Sequence, residues 1–593
     1  MPSQRLIIQD PSCDCVALRE QVRSLEAKIA SLERGVGPRV DQTDNLDPIS
    51  TGGIPPAHDI GQHLHQRAGY CPNAARILRP TFPRRDTSEY PQSGLLGSPW
   101  HLWGSSIGAG ADGAAATAPD TSSMSQLWED GNELVDIFFA RRWPQLPVLH
   151  RDTFMRQDFA PLSQGLPGRD LSPFLVNIVF AIAAIEKNSR FHAGSGTAIR
   201  GCYFQAAAND IGAVLAADDL DCIQCLLLLV MYGINEPQSV NLWFTIGLAL
   251  RLAISLDMHR QEVVVGQNVL QVEMRKRLWW CVYVMDRSIS MALNRPLGIQ
   301  DSDVTTPLPE AIRDDLLDPT ISSPVLPLPH AIIPDTRDVS AFIHTVKLRR
   351  LNTNVYNTFH AAGKTGLEAT EMLESIRLEH YIQLTDWLAN APRYLTPSSM
   401  FQTPEWFQIA YHHAIITLYR PSHAFPTTTL DAVRLCADAS ISLLACYSTL
   451  HAKNKLSYSF VALNSLFMAA VTMLHSLRTS RVLRQDLGRT AVERNVGLAT
   501  SLLRDISSGR AVGDYSARII ERLGGAVLSS FDGVSGMADE EVDTEFLTWF
   551  GLKSQQQEVA QPGQPTPSTD IAWNDLLTSG FDMSGMGWTD LLV

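Results

Sequence analysis

The first repeating pattern of apolar positions lies near the start of the chain. Seven apolar residues follow one another at alternating steps of three and four, namely Cys15, Leu18, Val22, Leu25, Ile29, Leu32 and Val36. These steps place the side chains on one seam of a helix, as a coiled coil requires, and Val or Ile alternating with Leu favours a parallel pair. The sequence therefore predicts a dimerisation helix over residues 15–36, preceded by a disordered start over residues 1–14. The alternative is a short amphipathic helix packed on its own domain.

A second pattern, with apolar residues at helical spacing, recurs from Gln126 to about Asp532. Nine stretches carry it: Leu134–Phe139, Phe174–Ile185, Ile223–Tyr232, Leu242–Leu256, Met274–Ile289, Val346–Phe359, Trp406–Leu418, Val433–Tyr447 and Phe460–Leu477. Alternating runs between hairpin turns, which would indicate strands, are almost absent. The pattern predicts an all-α, multi-helix domain over residues 126–535. Between this domain and the heptads, residues 37–125 are rich in Gly, Pro, Ser and Ala and predict a flexible linker.

Charge is concentrated at the other end of the chain. The net charge is −14, and residues 536–593 hold ten acidic side chains against one basic one. This segment ends in a short repeat formed by Trp573, Asp575, Leu576 and Leu577 and again by Trp588, Asp590, Leu591 and Leu592. Acidic residues keep bulky apolar side chains in solvent, ready to fold into a partner's groove. We expect a disordered acidic activation segment; the alternative is a terminal helix docked on its own core.

Cysteine usage and short motifs exclude several classes of protein. Nine scattered cysteines do not form a disulfide framework, and no four converge at zinc-ligand spacing. Cys222 and Cys225 precede an apolar run and are interpreted as buried thiols in a helix. The longest apolar runs are too short to cross a bilayer, so we expect no membrane partner. Neither a G-x-S-x-G nor an H-E-x-x-H motif occurs, and the lone His150 and His259 are interpreted as structural. These observations argue against an enzyme.

Two helices and a loop between Leu242 and Pro309 form the most distinctive stretch. The first helix has apolar residues at helical spacing, and its Gly247 and Ala249 are small enough for another helix to pack closely. The second begins with the basic trio Arg275, Lys276 and Arg277 and continues into Trp279 and Trp280. From the residues alone this is a helix hairpin with a large core. Ion pairs are expected among Asp257, Arg260, Asp286, Arg287 and Arg295. The trio is interpreted as a solvated helix shoulder rather than a DNA contact.

The order of residues in this stretch resembles the fungal-specific transcription factor domain, or middle homology region, of binuclear zinc-cluster regulators. The signature residues that carry the resemblance are Trp243, Gly247, Arg251, His259, Arg260, Arg275, Arg277, Trp279, Trp280, Asp286, Arg287, Arg295 and Pro296. Flanking segments agree, so that the resemblance covers roughly residues 126–480. It implies a nuclear regulator of RNA polymerase II genes, either of a secondary-metabolite cluster or of nutrient use. The implied partners are promoter DNA, transcription machinery and a second copy of the chain or a related one.

The cysteines depart from the family's pattern. Family members hold two zinc ions with six cysteines ahead of the coiled coil, whereas only Cys13 and Cys15 precede it here. We therefore expect no zinc and no other cofactor in this chain. Either the DNA-binding module has been lost or an upstream segment is missing. The alternative function is a protein that binds no DNA itself and heterodimerises with an intact zinc-cluster factor. A helical enzyme or binding protein is a second alternative.

Overall fold

A computed structural model describes ten stretches within a single compact unit of the chain. They are residues 130–188, 195–217, 219–261, 268–293, 295–317, 334–360, 370–456, 459–507, 510–532 and 539–552. The predicted disordered start, coiled coil and linker, and the Trp/Asp/Leu repeats, lie outside these residues.

The described residues form helices and loops and contain no strand, which confirms the all-α prediction. The helices are α1 (Gly131–Ile137), α2 (Arg151–Phe154), α3 (Ala160–Ser163), α4 (Ser172–Asn188), α5 (Ser195–Asn209), α6 (Ile211–Ala216), α7 (Leu220–Asn235), α8 (Leu242–Ser255), α9 (Val269–Ala292), α10 (Ser340–Val355), α11 (Thr370–Ala389), α12 (Pro404–Tyr419), α13 (Leu430–Ala452), α14 (Phe460–Thr479), α15 (Arg481–Leu487), α16 (Arg489–Ser507), α17 (Ala511–Ser529) and α18 (Asp539–Trp549). Single π-helical turns follow α1, α2 and α10 at Phe138–Arg142, Met155–Phe159 and Tyr356–His360, and 3₁₀ turns lie at Asp301–Asp303, Asp314–Leu316 and Met400–Gln402.

Polar side chains fix where the longer helices begin. Asn241 caps α8 by accepting from the amide of Phe244, and Ser459 caps α14 in the same way. Helix α9 begins with a reciprocal capping box, in which Asn268 and Gln271 each accept from the other's backbone amide. These contacts satisfy amides that lack an intrahelical partner. The breaks between apolar runs are therefore encoded by the residues that precede each run.

Helix α14 lies at the centre of the domain. It packs against α7 and α9 from the first half of the chain and against α12, α13, α16, α17 and α18 from the second. Of its 20 residues, 15 are buried, including Leu463, Phe467 and Leu474. A helix that is apolar on all sides is stable in water only when other helices surround it. One continuous apolar core therefore joins both halves of the domain.

Helices α13 and α14 are long and apolar enough to cross a membrane by length and composition. In the folded domain 50% of the most apolar window of α13 and 78% of that of α14 are buried against other helices. Their apolar character is thus accounted for by the core. Cys222 and Cys225 are both buried in α7, which confirms their interpretation as structural thiols.

The acidic tail predicted from residue 536 begins too early. Helix α18 lies within that segment, yet it packs on α14 and α17. Its Val542 and Phe546, and Phe550 directly after it, are buried in the common core. Glu540, Glu541 and Asp543 are exposed while the apolar positions recur at helical spacing, so the acidic stretch is an amphipathic helix. The helical domain extends at least to Leu552.

Candidate functional site

Helix α9 carries the tryptophans of the signature into the core. Trp279 and Trp280 are fully buried, and the indole nitrogen of Trp280 donates to the carbonyl oxygen of Pro307 at 2.9 Å. Trp279 lies 5.9 Å from the ring of His259, measured between ring centroids. His259 is itself buried, and its carbonyl oxygen accepts from the amide of Thr305 at 2.9 Å. The tryptophans hold the following loop against the domain, which confirms their interpretation as core residues.

Arg287 is the centre of a buried polar cluster. Its side chain has no solvent exposure and pairs with Asp286 at 2.8 Å and with Asp301 at 2.9 Å. The guanidinium group also lies 3.9 Å from the ring centre of Tyr283, whose hydroxyl donates to Asp301 at 2.9 Å. Burial raises the pKa of Asp286 and raises that of Tyr283 to about 12. The acidic loop is therefore bound to α9 by a hydrogen-bonded network rather than extended into solvent.

A second buried cluster forms around Arg277, the last residue of the basic trio. Arg277 has no exposed side-chain surface and pairs with Asp314 at 2.6 Å. The other carboxylate oxygen of Asp314 accepts from the amide of Arg151 at 2.8 Å. His150 caps α2 and contacts the Asp314 carbonyl oxygen at 3.0 Å. Three distant parts of the chain thus meet at one carboxylate, and His150 is structural as predicted.

The interpretation of the basic trio as a solvated shoulder is wrong for Arg277. Of the other two members, Lys276 pairs with the buried Glu273 at 2.5 Å, and Arg275 donates to the carbonyl oxygen of Leu256. Unpaired charge would be costly in these half-buried and buried positions, so each cation is matched to an acceptor. The side chains of the trio thus form hydrogen bonds and ion pairs within the fold instead of facing solvent.

The small residue that permits close approach is Gly298, not Gly247. A β-carbon at Gly247 would meet nothing within 4 Å, whereas one at Gly298 would lie 2.2 Å from Leu250 and 3.0 Å from Asp286. The amide of Gly298 also donates to Asp286 at 3.2 Å. Residues of the signature that remain at the surface are Trp243, Arg251, Arg260, Arg295 and Pro296.

The expected ion pairs are only partly present. Asp286 and Arg287 pair directly, and Arg260 lies 3.9 Å from Asp257 at the surface. Arg295 instead lies over the indole ring of Trp243, 5.6 Å from its centre. The buried residues of the signature therefore hold the loop against the helix hairpin.

A cavity of about 280 Å³ lies between α9, α10, α12, α14 and the end of α18. This volume is close to the lower end of the range of small-molecule pockets, about 300–1,000 Å³. Aromatic rings form much of its wall: Tyr356, Trp387, Phe401, Trp406, Tyr447, Trp549 and Phe550. Its polar groups include Arg142, Arg349, Arg420, His360, His413, His423 and Asn464. The described lining residues include three arginines and no carboxylate. No residue pattern in the sequence predicted this site.

Two histidines of the cavity, His360 and His413, have strongly lowered pKa values. Burial lowers the pKa of His360 to about 3, and its Nε2 contacts the carbonyl oxygen of Thr417 at 2.6 Å. Burial, together with the charges of Arg349 and Arg420, lowers the pKa of His413 to about 4. His360 and His413 are therefore neutral at physiological pH, whereas the arginines of the cavity carry positive charge. No group of three or more metal-ligating side chains occurs among the described residues.

Comparison with known proteins identifies the first half of this domain. The family model described as fungal specific transcription factor domain matches residues 135–389. The chain is 28% identical over 308 residues to pyrimidine pathway regulatory protein 1 of Saccharomyces cerevisiae, covering 51% of this chain and 33% of that protein. It is 23% identical over 479 residues to the positive regulator of purine utilization of Emericella nidulans, covering 64% and 44%. The matches thus span between a third and a half of these relatives.

The matched segment contains the hairpin, the folded loop and both buried clusters, whereas much of the cavity wall lies beyond it. Of the residues that carry the resemblance in the sequence, Arg277, Trp279, Trp280, Asp286 and Arg287 take part in the buried contacts of this segment. Residues 135–389 thus match the fungal specific transcription factor domain, and the chain is similar to fungal proteins named as regulators of the pyrimidine pathway and of purine utilization.

Proposed function

We propose that this chain regulates transcription by RNA polymerase II in a fungal nucleus. In this proposal residues 15–36 pair two chains and the helical domain is the regulatory part of the protein. The acidic segment after Leu552 recruits transcription machinery. The observation that supports it most strongly is the match of residues 135–389 to the family's regulatory domain. Nutrient use is the favoured class of target genes, since two relatives are named for pyrimidine and purine metabolism.

The activation role of the tail is tested with a reporter gene. Residues 553–593 are fused to an unrelated DNA-binding domain, and the six bulky residues of the repeats are replaced by alanine: Trp573, Leu576, Leu577, Trp588, Leu591 and Leu592. The signal is expected to fall to background, because apolar anchors carry binding into a partner's groove. Alanine at Gln555, Gln556 and Gln557 is the matched control and leaves the signal unchanged. An undiminished signal in the six-residue variant would refute the role.

Pairing through the heptads is tested by sedimentation of the full chain. A dimer is expected for the wild type and a monomer for Ile29→Asp, since a charge on the seam is buried without a partner in the paired state. Arg23→Asp, off the seam, is the control and stays dimeric. If both variants and the wild type sediment alike, the seam does not pair the chains.

The second candidate function is a partner protein that binds no DNA itself. Its support is the chain's net charge of −14 and the use of the basic trio inside the fold, where Arg277 is fully buried. A DNA-binding assay with the purified chain and zinc separates the two functions. Site-selective binding that survives physiological salt would exclude the partner function. Binding only after addition of an intact zinc-cluster protein would support it.

A further inference from the structure

Two arginines in the cavity have no acidic partner. Arg349 from α10 and Arg420 after α12 both line it, and the Nε atom of each is buried without a hydrogen-bond acceptor. Within the described part of the chain no ion pair joins a carboxylate to either side chain, and the guanidinium group of Arg420 lies 5.8 Å from the ring centre of Phe550. Burial lowers the pKa of each to about 10, so both are charged at neutral pH.

The fully buried arginines of the domain are paired differently. Arg277 and Arg287 each have a carboxylate within 3 Å, and Arg142, which also lines the cavity, pairs with Glu186 at 2.6 Å. A protein with 62 acidic and 48 basic residues has no shortage of carboxylates to place there. Arg349 and Arg420 are half-buried. A charge that is largely removed from water without a counter-charge is unfavourable, and such groups concentrate at binding sites.

We propose that this cavity binds a small molecule that carries a carboxylate or phosphate group on a flat apolar body. The planar guanidinium groups of Arg349 and Arg420 match the oxygen atoms of such an anion. Neutral His413 supplies a further polar contact. Trp387, Trp406 and the other rings of the wall accommodate the apolar body. This site goes beyond the proposed function, because its occupancy does not depend on what the tail or the heptads do.

The test uses thermal unfolding of the purified full chain with defined probes. Benzoate and phenyl phosphate represent the two anions, and benzamide is a neutral molecule of the same shape as benzoate. One or both anions are expected to raise Tm saturably, since a ligand that binds only the folded state stabilises it. Benzamide is expected to have no effect. Comparison of the rise in Tm caused by benzoate with that caused by phenyl phosphate identifies which anion the arginines recognise.

Arginine variants locate the binding. Arg349→Gln and Arg420→Gln are each expected to weaken the anion's binding roughly tenfold or more, the effect of losing a charge-assisted hydrogen bond. Arg350→Gln is the matched control: its side chain is the next residue on α10 and is exposed, so binding is unchanged. Without ligand, the first two variants should unfold at or above the wild-type Tm, because a half-buried charge without a counter-charge has been removed.

Four results would overturn the proposal: no saturable rise in Tm with either anion, an equal rise with benzamide, unchanged binding in both cavity variants, or a ligand-free Tm of those variants well below that of Arg350→Gln. The last result would show that the guanidinium groups stabilise the fold itself. Because binding is measured on purified protein, a positive or negative result in this test is independent of the result of the reporter assay.

Discussion

Asp314 shows how one side chain can organise distant parts of a fold. It neutralises Arg277 from α9, accepts from the backbone at Arg151 and presents its carbonyl oxygen to His150. All of these groups are buried or half-buried, so water cannot replace a partner that is removed. The Asp314 carboxylate therefore contributes more to the stability of the fold than its position in a loop suggests.

Replacing Asp314 tests this directly. Asp314→Ala leaves Arg277 charged and unpaired in the core and is expected to lower the free energy of unfolding by about 3–5 kcal/mol. Asp315→Ala is the matched control. Its carboxylate is 41% exposed and pairs with Arg313 at the surface, so a loss of at most about 1 kcal/mol is expected. Urea unfolding of both variants measures the difference, and equal losses would contradict the role of Asp314.

At the level of single residues, the sequence predicted which side chains are buried better than it predicted which side chains contact one another. Burial of Trp279 and Trp280 followed from their place on an apolar helix face. The partner of Arg277 could not be predicted, because Asp314 lies 37 residues later in a loop. For the same reason Arg349 and Arg420 did not stand out: what distinguishes them is the lack of a partner, which only the folded chain reveals.

Among the helices, the strongly apolar ones could be placed closely from the sequence. The predicted stretches Leu242–Leu256 and Phe460–Leu477 correspond to α8 and α14 with ends that differ by at most two residues. Four short helices, α2, α3, α6 and α15, lie outside the predicted stretches, and so do five longer ones, α5, α11, α16, α17 and α18. Each of these five has a wide polar face, which diluted the apolar signal, although Val492, Val496 and Leu503 of α16 do recur at helical spacing.

Helix α18 gives a prediction about the extent of the domain. Its Phe546 has no solvent exposure and lies against α14, next to His475. Phe546→Ala is expected to lower the free energy of unfolding by about 3–5 kcal/mol, the usual effect of removing a buried ring. The exposed Glu541→Ala on the same helix should change it by less than about 0.5 kcal/mol.

Truncation separates the helix from the residues that follow it. A chain ending at Leu552 should unfold at the wild-type Tm, while one ending at Ser535 should unfold at a lower temperature. If the two truncated chains are equally stable, α18 does not belong to the domain.

For the molecule as a whole, buried histidines predict a loss of stability in acid. Burial lowers the pKa of His344, His413 and His475 to about 4 and that of His360 to about 3. The folded state thus holds these rings neutral, while the unfolded chain takes up their protons below about pH 6.5. Stability should be level above that pH and fall as the pH drops toward 4, by up to about 1.4 kcal/mol per pH unit for each histidine.

The pH dependence is measured as Tm between pH 8 and 4.5. His475→Leu keeps an apolar side chain against α18 but removes one titrating ring, so the slope below pH 6.5 should decrease. His451→Leu, at an exposed position of α13, should leave the slope as it is. A wild-type Tm that is constant across this range would contradict the prediction.

The end of α18 couples the cavity to the acidic segment that follows it. Trp549, Phe550 and Gly551 form part of the cavity wall, and the acidic segment starts two residues later. An occupant that favours the docked position of α18 is itself bound more tightly when that helix is docked, and the two effects are equal by thermodynamic reciprocity. Any factor that pulls on the acidic segment and loosens α18 must then promote release of the occupant. Occupancy of the cavity and a pull on the acidic segment would therefore have opposite effects on the docking of α18.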